Sequence, residues 1–140
     1  MSRFKELGIN NKLIKGLNEL RIHDPTEVQE KAIPFLVENG SDFVCRAQTG
    51  TGKTAAFGLP LLQRIRPNSD KVQGLILTPT RELAKQVAKH LFKYTKYTDK
   101  IFTEAVYGGD KIEIQVKALA RPTHIIVATP GRLIDLLKMQ

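Results

Sequence analysis

The sequence has little cysteine and no long apolar run. Among its 140 residues there is one cysteine, Cys45, so no internal disulfide can form and no second cysteine is available to share a metal ion. The longest apolar runs, "LILT" and "IIVA", are far too short to cross a bilayer. The opening residues, "MSRFKELGIN", contain no apolar segment of the kind that a secretory signal needs. These absences favour a reducing, cytoplasmic setting with no membrane partner.

The composition is that of a folded, basic protein. Hydrophobic residues make up 41% of the chain, which is enough to bury a core, and the length is that of about one ordinary domain. The formal net charge is +8. A charge of this sign favours a polyanionic partner, although it does not say which one.

Strand-like and helix-like stretches alternate along the chain. β-branched or apolar runs predict strands at 42–46, 74–78, 101–107 and 124–128. Helical periodicity predicts helices at 12–20, 27–38, 53–65, 81–97, 111–119 and 131–139, although 111–119 also alternates as a strand would. The order indicates an α/β fold with a parallel sheet flanked by helices.

The stretch "AQTGTGKT" at 47–54 follows the first strand-like run and precedes a helix. Gly50 and Gly52 allow a tight turn whose N–H groups face phosphate oxygens, and the following helix adds its positive end. Lys53 is placed to reach the β- and γ-phosphates, and the Thr54 hydroxyl to bind Mg²⁺. This pattern predicts a nucleoside triphosphate site. A glycine-rich turn without a ligand is the alternative.

The stretch "DPTEVQ" has two interpretations. Thr26 and Gln29 have the spacing of a capping box, which begins a helix. The Gln29 amide could also bind the N6 and N7 edge of adenine through its donor and its acceptor. Both interpretations can hold together.

Three further segments follow strand-like runs: "TPTREL", "YGGD" and "TPGRL". Each of them offers free backbone N–H groups or glycines, and two carry a cation, Arg81 or Arg132. Simple helix initiation explains the threonine and proline in two of them. In a parallel sheet, however, all such segments lie on one carboxyl edge, which they would share with the glycine-rich stretch at 47–54. One triphosphate cannot occupy all four places, so a nucleic-acid strand is the favoured ligand.

These motifs together resemble the DEAD-box ATP-dependent RNA helicases, in the N-terminal part of the first of their two RecA-like domains. The resemblance covers the Q motif in "PTEVQ", motif I in "AQTGTGKT", motif Ia in "PTREL", the Gly108–Gly109 pair and motif Ib in "TPGR". It implies a RecA-like P-loop fold, ATP and Mg²⁺ as cofactors, and contacts to the RNA backbone with little sequence preference.

The resemblance also assigns residues. The adenine would be held by Phe4, Thr26 and Gln29, with the Phe4 ring stacking on it. The phosphates would be held by Gln48, Thr49, Gly50, Thr51, Gly52, Lys53 and Thr54, of which Lys53 and Thr54 belong to the catalytic set and Thr54 to the Mg²⁺ site. RNA would be contacted by Pro79, Thr80, Arg81, Gly108, Gly109, Thr129, Pro130, Gly131 and Arg132.

The resemblance makes residues 1–140 a single partial domain, with a Q-motif region at about 2–30 and a P-loop region at 42–66. The sequence contains no Asp-Glu-Ala-Asp, no Ser-Ala-Thr and no second RecA-like domain. The parent protein is therefore expected to unwind RNA, whereas this stretch alone is expected to bind without measurable turnover and to expose a sheet edge that can pair with another copy. A DNA helicase, another P-loop ATPase and a non-enzymatic binding fragment remain alternatives.

Overall fold

The computed structural model describes residues 2–38, 41–48, 50 and 52–139. The helices are α1 (Arg3–Glu6), α2 (Asn11–Glu19), α3 (Glu27–Glu38), α4 (Lys53–Arg64), α5 (Arg81–Tyr94), α6 (Ile112–Leu119) and α7 (Pro130–Leu137). The strands are β1 (Gly74–Leu77), β2 (Thr103–Val106) and β3 (Ile125–Ala128). Contacts between residues group the chain into two compact units.

The first unit holds the described residues up to Arg64 together with Lys93–Thr98. It is helical, and α3 packs against α4. The Asn10 side chain begins α2 by accepting a hydrogen bond from Leu13 N at 3.0 Å, which satisfies an N–H group that has no helical partner. The largest side chains of this core are fully buried apolar ones: Phe4, Leu13, Leu17, Ile33 and Leu59.

The second unit holds the remaining described residues and contains a parallel three-stranded sheet in the order β1-β3-β2. The central strand β3 is the most buried, with Ile125, Val127 and Ala128 inaccessible to solvent. Parallel neighbours need crossover connections, and α5 and α6 lie in the connections from β1 to β2 and from β2 to β3. The three strands lie inside the predicted ranges 74–78, 101–107 and 124–128, so these predictions are confirmed.

The strand predicted at 42–46 is not formed. No residue from 42 to 46 pairs in the described part of the sheet, and Val44 is 93% exposed. The Phe43 ring packs on Phe35, with ring centres 4.9 Å apart. A strand exists only where its N–H and C=O groups pair with those of a neighbour, and residues 42–46 have no such pairing among the described residues. The prediction was wrong because apolar composition shows that a segment is able to pair, but not that it has a partner.

His124 enters β3 as a satisfied structural residue. Its Nδ1 accepts a hydrogen bond from Phe102 N at 2.9 Å, and its Nε2 lies 3.1 Å from the Pro67 carbonyl oxygen. Because Nδ1 accepts, Nε2 carries the proton and donates it to Pro67. The side chain therefore holds two loops against the start of β3.

Candidate functional site

The carboxyl ends of the three strands lie side by side at one edge of the sheet. Ala128, the last residue of β3, is in register with Leu77 at the end of β1 and with Val106 at the end of β2. Neighbouring strands lie about 4.8 Å apart, so the segments that follow them begin close together. We call residues 78–81 the first joint, 107–110 the second and 129–132 the third. The prediction that these three joints share one edge is confirmed, whereas the prediction that the glycine-rich stretch at 47–54 shares this edge stays a prediction.

The first joint begins α5 through Thr80. The Thr80 hydroxyl oxygen accepts a hydrogen bond from Leu83 N at 3.2 Å, and the Thr78 hydroxyl donates to the Thr80 carbonyl oxygen at 3.1 Å. Threonine caps a helix in this way because the N–H groups of the first turn have no helical partners. Pro79 and Thr80 are exposed, and Arg81 is half-buried. The first joint therefore presents the positive end of α5 to solvent.

The second joint contains two exposed glycines with different surroundings. Gly109 has φ +97°, which residues with a side chain rarely adopt. A Cβ atom at Gly109 would lie 2.7 Å from Arg81 Nη1, whereas one at Gly108 would meet nothing within 4 Å. Gly109 is thus required by its own backbone, and a side chain there would also displace the end of the Arg81 side chain. Gly108 leaves open space above its backbone.

The third joint begins α7. Thr129 is the N-cap residue and Pro130 the first residue of α7, which is the arrangement of simple helix initiation, although the Thr129 side chain makes no capping hydrogen bond. Gly131 is exposed, and the Arg132 side chain is only 12% exposed. Both Nη1 and Nη2 of Arg132 donate to the Asp110 carbonyl oxygen at 3.1 Å. The third joint is therefore tied to the end of the second.

Tyr107 lies between two cations at this edge. Arg81 Cζ and Lys85 Nζ are each 5.2 Å from the centre of the Tyr107 ring, a distance at which a cation–π contact at an exposed site stabilises by about 0.5–1 kcal/mol. Arg81 Nη1 also lies 3.9 Å from an Asp110 carboxylate oxygen, an exposed ion pair that adds little. Burial and the nearby Asp110 carboxylate raise the pKa of Tyr107, so its phenol is uncharged at neutral pH.

The sequence placed Tyr107 and Asp110 at this edge only as neighbours of the two glycines, and it did not single out Gln115 at all. Gln115 lies between Ile114 and Val116 in a stretch where polar and apolar residues alternate, and yet it is the buried residue of the three. Nothing in that alternation distinguishes Gln115 from the neighbouring polar residues Glu113 and Lys117, so its burial could not be predicted from the sequence.

The glycine-rich segment before α4 lies in the first unit. Gly50 has φ +83° and Gly52 has φ +86°, the backbone conformation that glycine allows without strain. Lys53 and Thr54 are the first two residues of α4, the former exposed and the latter half-buried. Their position places a cation and a hydroxyl at the positive end of a helix, where anions bind.

The other predicted phosphate-binding residues are less defined. Thr49 and Thr51 lie outside the described residues. Gln48 is exposed. Their roles remain predictions.

Thr26 and Gln29 form the predicted capping box. Thr26 N donates to Gln29 Oε1 at 2.9 Å, and Gln29 N donates to Thr26 Oγ1 at 3.4 Å. Gln29 is 4% exposed, and its Nε2 donates to the Gly52 carbonyl oxygen at 3.1 Å. A Cβ atom at Gly52 would collide with that Nε2. The capping interpretation is confirmed, and the glutamine also links α3 to the glycine-rich segment.

Phe4 is 0% exposed. In this structure its ring has no accessible face, so stacking on adenine remains a prediction that requires the ring to leave its buried position. Burial of a phenylalanine ring in a helical core is also the ordinary result of its hydrophobicity.

The described residues contain neither a metal-binding cluster nor a membrane-spanning helix. No group of three or more His, Cys, Asp or Glu residues there could hold a metal ion. In the same part of the chain, no helix combines the length and the apolar character that a membrane span requires.

The sequence matches a known family and curated relatives. The profile of the family described as DEAD/DEAH box helicase matches residues 26–140. ATP-dependent RNA helicase CshA of Listeria monocytogenes is 46% identical over 135 residues, which cover 96% of this chain and 26% of that protein. RNA helicase CrhR of Synechocystis is 48% identical over 136 residues, covering 97% of this chain and 27% of that protein. The chain therefore spans about a quarter of the length of these relatives.

Solved structures share the fold. A DEAD box protein from Methanococcus jannaschii has a TM-score of 0.90 at 35% identity, covering 97% of this chain and 37% of that one. Dbp5 of S. cerevisiae bound to RNA and ADP BeF3 has a TM-score of 0.84 at 32% identity, covering 97% of this chain and 34% of that one. The α/β, RecA-like fold class is thereby confirmed, and the DNA helicase alternative gains no support. The chain belongs to the DEAD/DEAH box helicase family.

Proposed function

We propose that this chain is the ATP- and RNA-binding portion of an ATP-dependent RNA helicase, and that the whole protein couples ATP hydrolysis to the unwinding or remodelling of RNA duplexes. The observation that carries the proposal is the register of Leu77 and Val106 with Ala128. This register aligns three joints rich in threonine, glycine and arginine at one edge. The relatives named above, which are RNA helicases, support the same function.

The three joints would bind successive parts of a ribose-phosphate backbone. Helix N-termini and exposed glycines offer N–H groups to phosphate oxygens. The proposed contacts are Pro79, Thr80, Arg81, Gly108, Gly109, Thr129, Pro130, Gly131 and Arg132. Contacts of this kind carry no base information, so RNA strands of different sequence would bind with similar affinity.

The glycine-rich segment would bind ATP. Positive φ at Gly50 and Gly52 supports a phosphate-binding turn, and Lys53 at the start of α4 supplies a charge. The resemblance adds Gln48, Thr49 and Thr51 to the phosphate contacts. Thr26, Gln29 and, if it leaves the core, Phe4 would contact adenine. Gln29 keeps one N–H and one lone pair beyond the hydrogen bonds described above.

Mg²⁺ would bind together with the nucleotide. Mg²⁺ takes oxygen ligands, usually from phosphates and water as well as from the protein. The Thr54 hydroxyl, half-buried in the first turn of α4, is an oxygen ligand of this kind. One hydroxyl is too few to hold the ion alone. When bound with ATP, Mg²⁺ would neutralise phosphate charge.

The RNA proposal is tested by a matched pair of charge variants. Arg81 lies at the carboxyl edge of the sheet, whereas Lys100 is exposed and precedes β2 at the opposite edge. Arg81→Gln and Lys100→Gln change the net charge equally. Binding of fluorescent polyuridylate over a range of KCl concentrations should weaken for Arg81→Gln, with a salt slope smaller by about 0.7. Lys100→Gln should bind like the wild type.

Two outcomes count against the RNA proposal. Equal losses in both variants would indicate non-specific attraction by net charge. Tighter binding of a DNA strand of matching sequence would favour a DNA-directed protein instead.

The ATP proposal is tested with Lys53→Ala and the exposed Lys31→Ala in the same unit. Losing a charge-assisted hydrogen bond should weaken Mg·ATP binding about tenfold or more, as measured by calorimetry. Lys31→Ala should bind as the wild type does. No Mg·ATP binding by the wild-type chain, or binding unaffected by Lys53→Ala, contradicts the assignment.

Two proposals concern the setting of the protein. Among the described residues β1 is one of the two edge strands of the sheet, and its Leu75 and Leu77 are exposed; this edge would pair with a second copy. Sedimentation should then depend on concentration for the wild type and for Phe92→Lys, but not for Leu77→Lys; a wild-type chain whose sedimentation does not depend on concentration contradicts the pairing.

The single cysteine favours a cytoplasmic setting, which cell fractionation tests.

A further inference from the structure

Gln115 is a buried polar residue that none of the motifs includes. It lies in α6 and is 6% exposed. Its Nε2 donates to the Tyr107 carbonyl oxygen at 2.9 Å, and its Oε1 accepts from Arg132 Nη1 at 2.9 Å. A buried amide costs free energy unless both of its ends are paired. Here both ends are paired, one with the second joint and one with the third.

Arg132 completes the connection. Its Nη1 and Nη2 donate to the Asp110 carbonyl oxygen. The turn at 107–110 is therefore held at both ends: at Tyr107 through Gln115, and at Asp110 by Arg132 directly. A guanidinium is planar, so three hydrogen bonds to fixed acceptors set its orientation.

Gln115 suits this role because it both donates and accepts. Both N–H groups of Arg132 Nη1 are used, by Gln115 and by Asp110, whereas Nη2 makes one hydrogen bond among the described residues and has one N–H left for a ligand. Glutamate at this position could accept from Arg132 but could not donate to Tyr107. Methionine, similar in length, could do neither.

We propose that Gln115 is a positioning residue that orients Arg132 and the Gly108–Gly109 turn toward a ribose-phosphate backbone. This inference rests on the proposed RNA-binding function and adds a residue that does not itself touch RNA. A purely structural role would lower stability without changing the number of phosphate contacts. A positioning role would change that number, and the salt dependence of binding measures it.

The test compares Gln115→Met and Gln115→Glu with Ile125→Val, a substitution in the buried core of β3 that destabilises the same unit without touching Arg132. Binding of fluorescent polyuridylate is measured over a range of KCl concentrations. Gln115→Met should bind about tenfold more weakly, the loss expected for one charge-assisted hydrogen bond. Its salt slope should be smaller by about 0.7.

Gln115→Glu keeps an acceptor for Arg132 and should fall between Gln115→Met and the wild type, while Ile125→Val should keep the wild-type slope. If both Gln115 variants bind like the wild type, or Ile125→Val reproduces their loss and slope, the inference is overturned. If the wild-type chain binds no polyuridylate, the proposed RNA-binding function fails together with the positioning role. If the wild-type chain binds and the Gln115 variants bind equally well, only the positioning role fails.

A second measurement needs no variant. In ¹H–¹⁵N spectra of the wild-type chain, the side-chain amide signals of Gln115 should shift on addition of polyuridylate, because Arg132 transmits the contact. Gln115 signals that stay fixed while those of the Gly109 amide move would overturn the positioning role.

Discussion

Replacing Gly109 with alanine should damage the chain in two ways that its neighbour Gly108 avoids. Gly109 has φ +97°, and holding a residue with a side chain in such a region costs about 1–3 kcal/mol. The new Cβ would also lie 2.7 Å from Arg81 Nη1 and push that guanidinium away from Tyr107 and Asp110. Gly108 has no positive φ, and a Cβ added there would meet nothing within 4 Å. Gly108→Ala should therefore be neutral, or stabilising by about 0.4–1 kcal/mol.

Thermal melting and RNA binding together separate these effects. For a chain of this length, Gly109→Ala should lower Tm by roughly 3–10 °C, and it should weaken polyuridylate binding through the displaced Arg81. Gly108→Ala should melt at or slightly above the wild-type temperature. If Gly108 lies under the RNA backbone, its methyl group should still weaken binding, with no loss of stability.

Two melting results would refute this expectation: a Gly109→Ala chain that melts with the wild type, or a Gly108→Ala chain that is the less stable of the two. Either result would mean that the turn at 107–110 differs from the one described. Equal RNA affinity for the wild type, Gly108→Ala and Gly109→Ala would indicate that the second joint does not contact RNA.

Three further outcomes are expected. Gly52→Ala should lose more stability and more ATP affinity than Gly50→Ala, because both have positive φ but only Gly52 would collide with the capping-box amide; equal losses would indicate backbone strain alone. Thr26→Ala should lower the free energy of unfolding by about 0.5–2 kcal/mol in urea titrations, and no change would contradict the cap. The hydrogen bond from Lys96 lowers the pKa of Glu19. The stabilisation from this ion pair is therefore present above the ordinary carboxylate pKa and is lost as pH falls through the lowered value. Lys96→Met should make the free energy of unfolding depend less on pH in the acid range, and an unchanged pH dependence would contradict this expectation.

The sheet was largely predictable from the sequence. β1, β2 and β3 are short apolar or β-branched runs bounded by turn residues, which is the pattern of buried parallel strands. The run at 42–46 has the same composition and is not a strand, because pairing depends on a neighbour and not on the run itself. Composition predicts the capacity to pair, whereas the partner is a tertiary property.

The α6 segment shows why the site was only partly predictable. Ile114 and Val116 are exposed while Gln115, between them, is buried, the opposite of what hydrophobicity indicates. The hydrogen bonds of Gln115 to Tyr107 and Arg132 compensate for its burial, and both partners are distant enough in sequence that no local pattern reports them. The glycines and caps of the joints were found because their spacing is local.

The most direct test of the account is a ¹H–¹⁵N titration of the wild-type chain with polyuridylate. One amide from each joint reports on the shared edge: Thr80, Gly109 and Gly131. These three signals are expected to move together with one dissociation constant. Shifts confined to a single joint, or concentrated on lysines away from this edge such as Lys71 and Lys100, would contradict the claim that three aligned strand ends bind one RNA backbone.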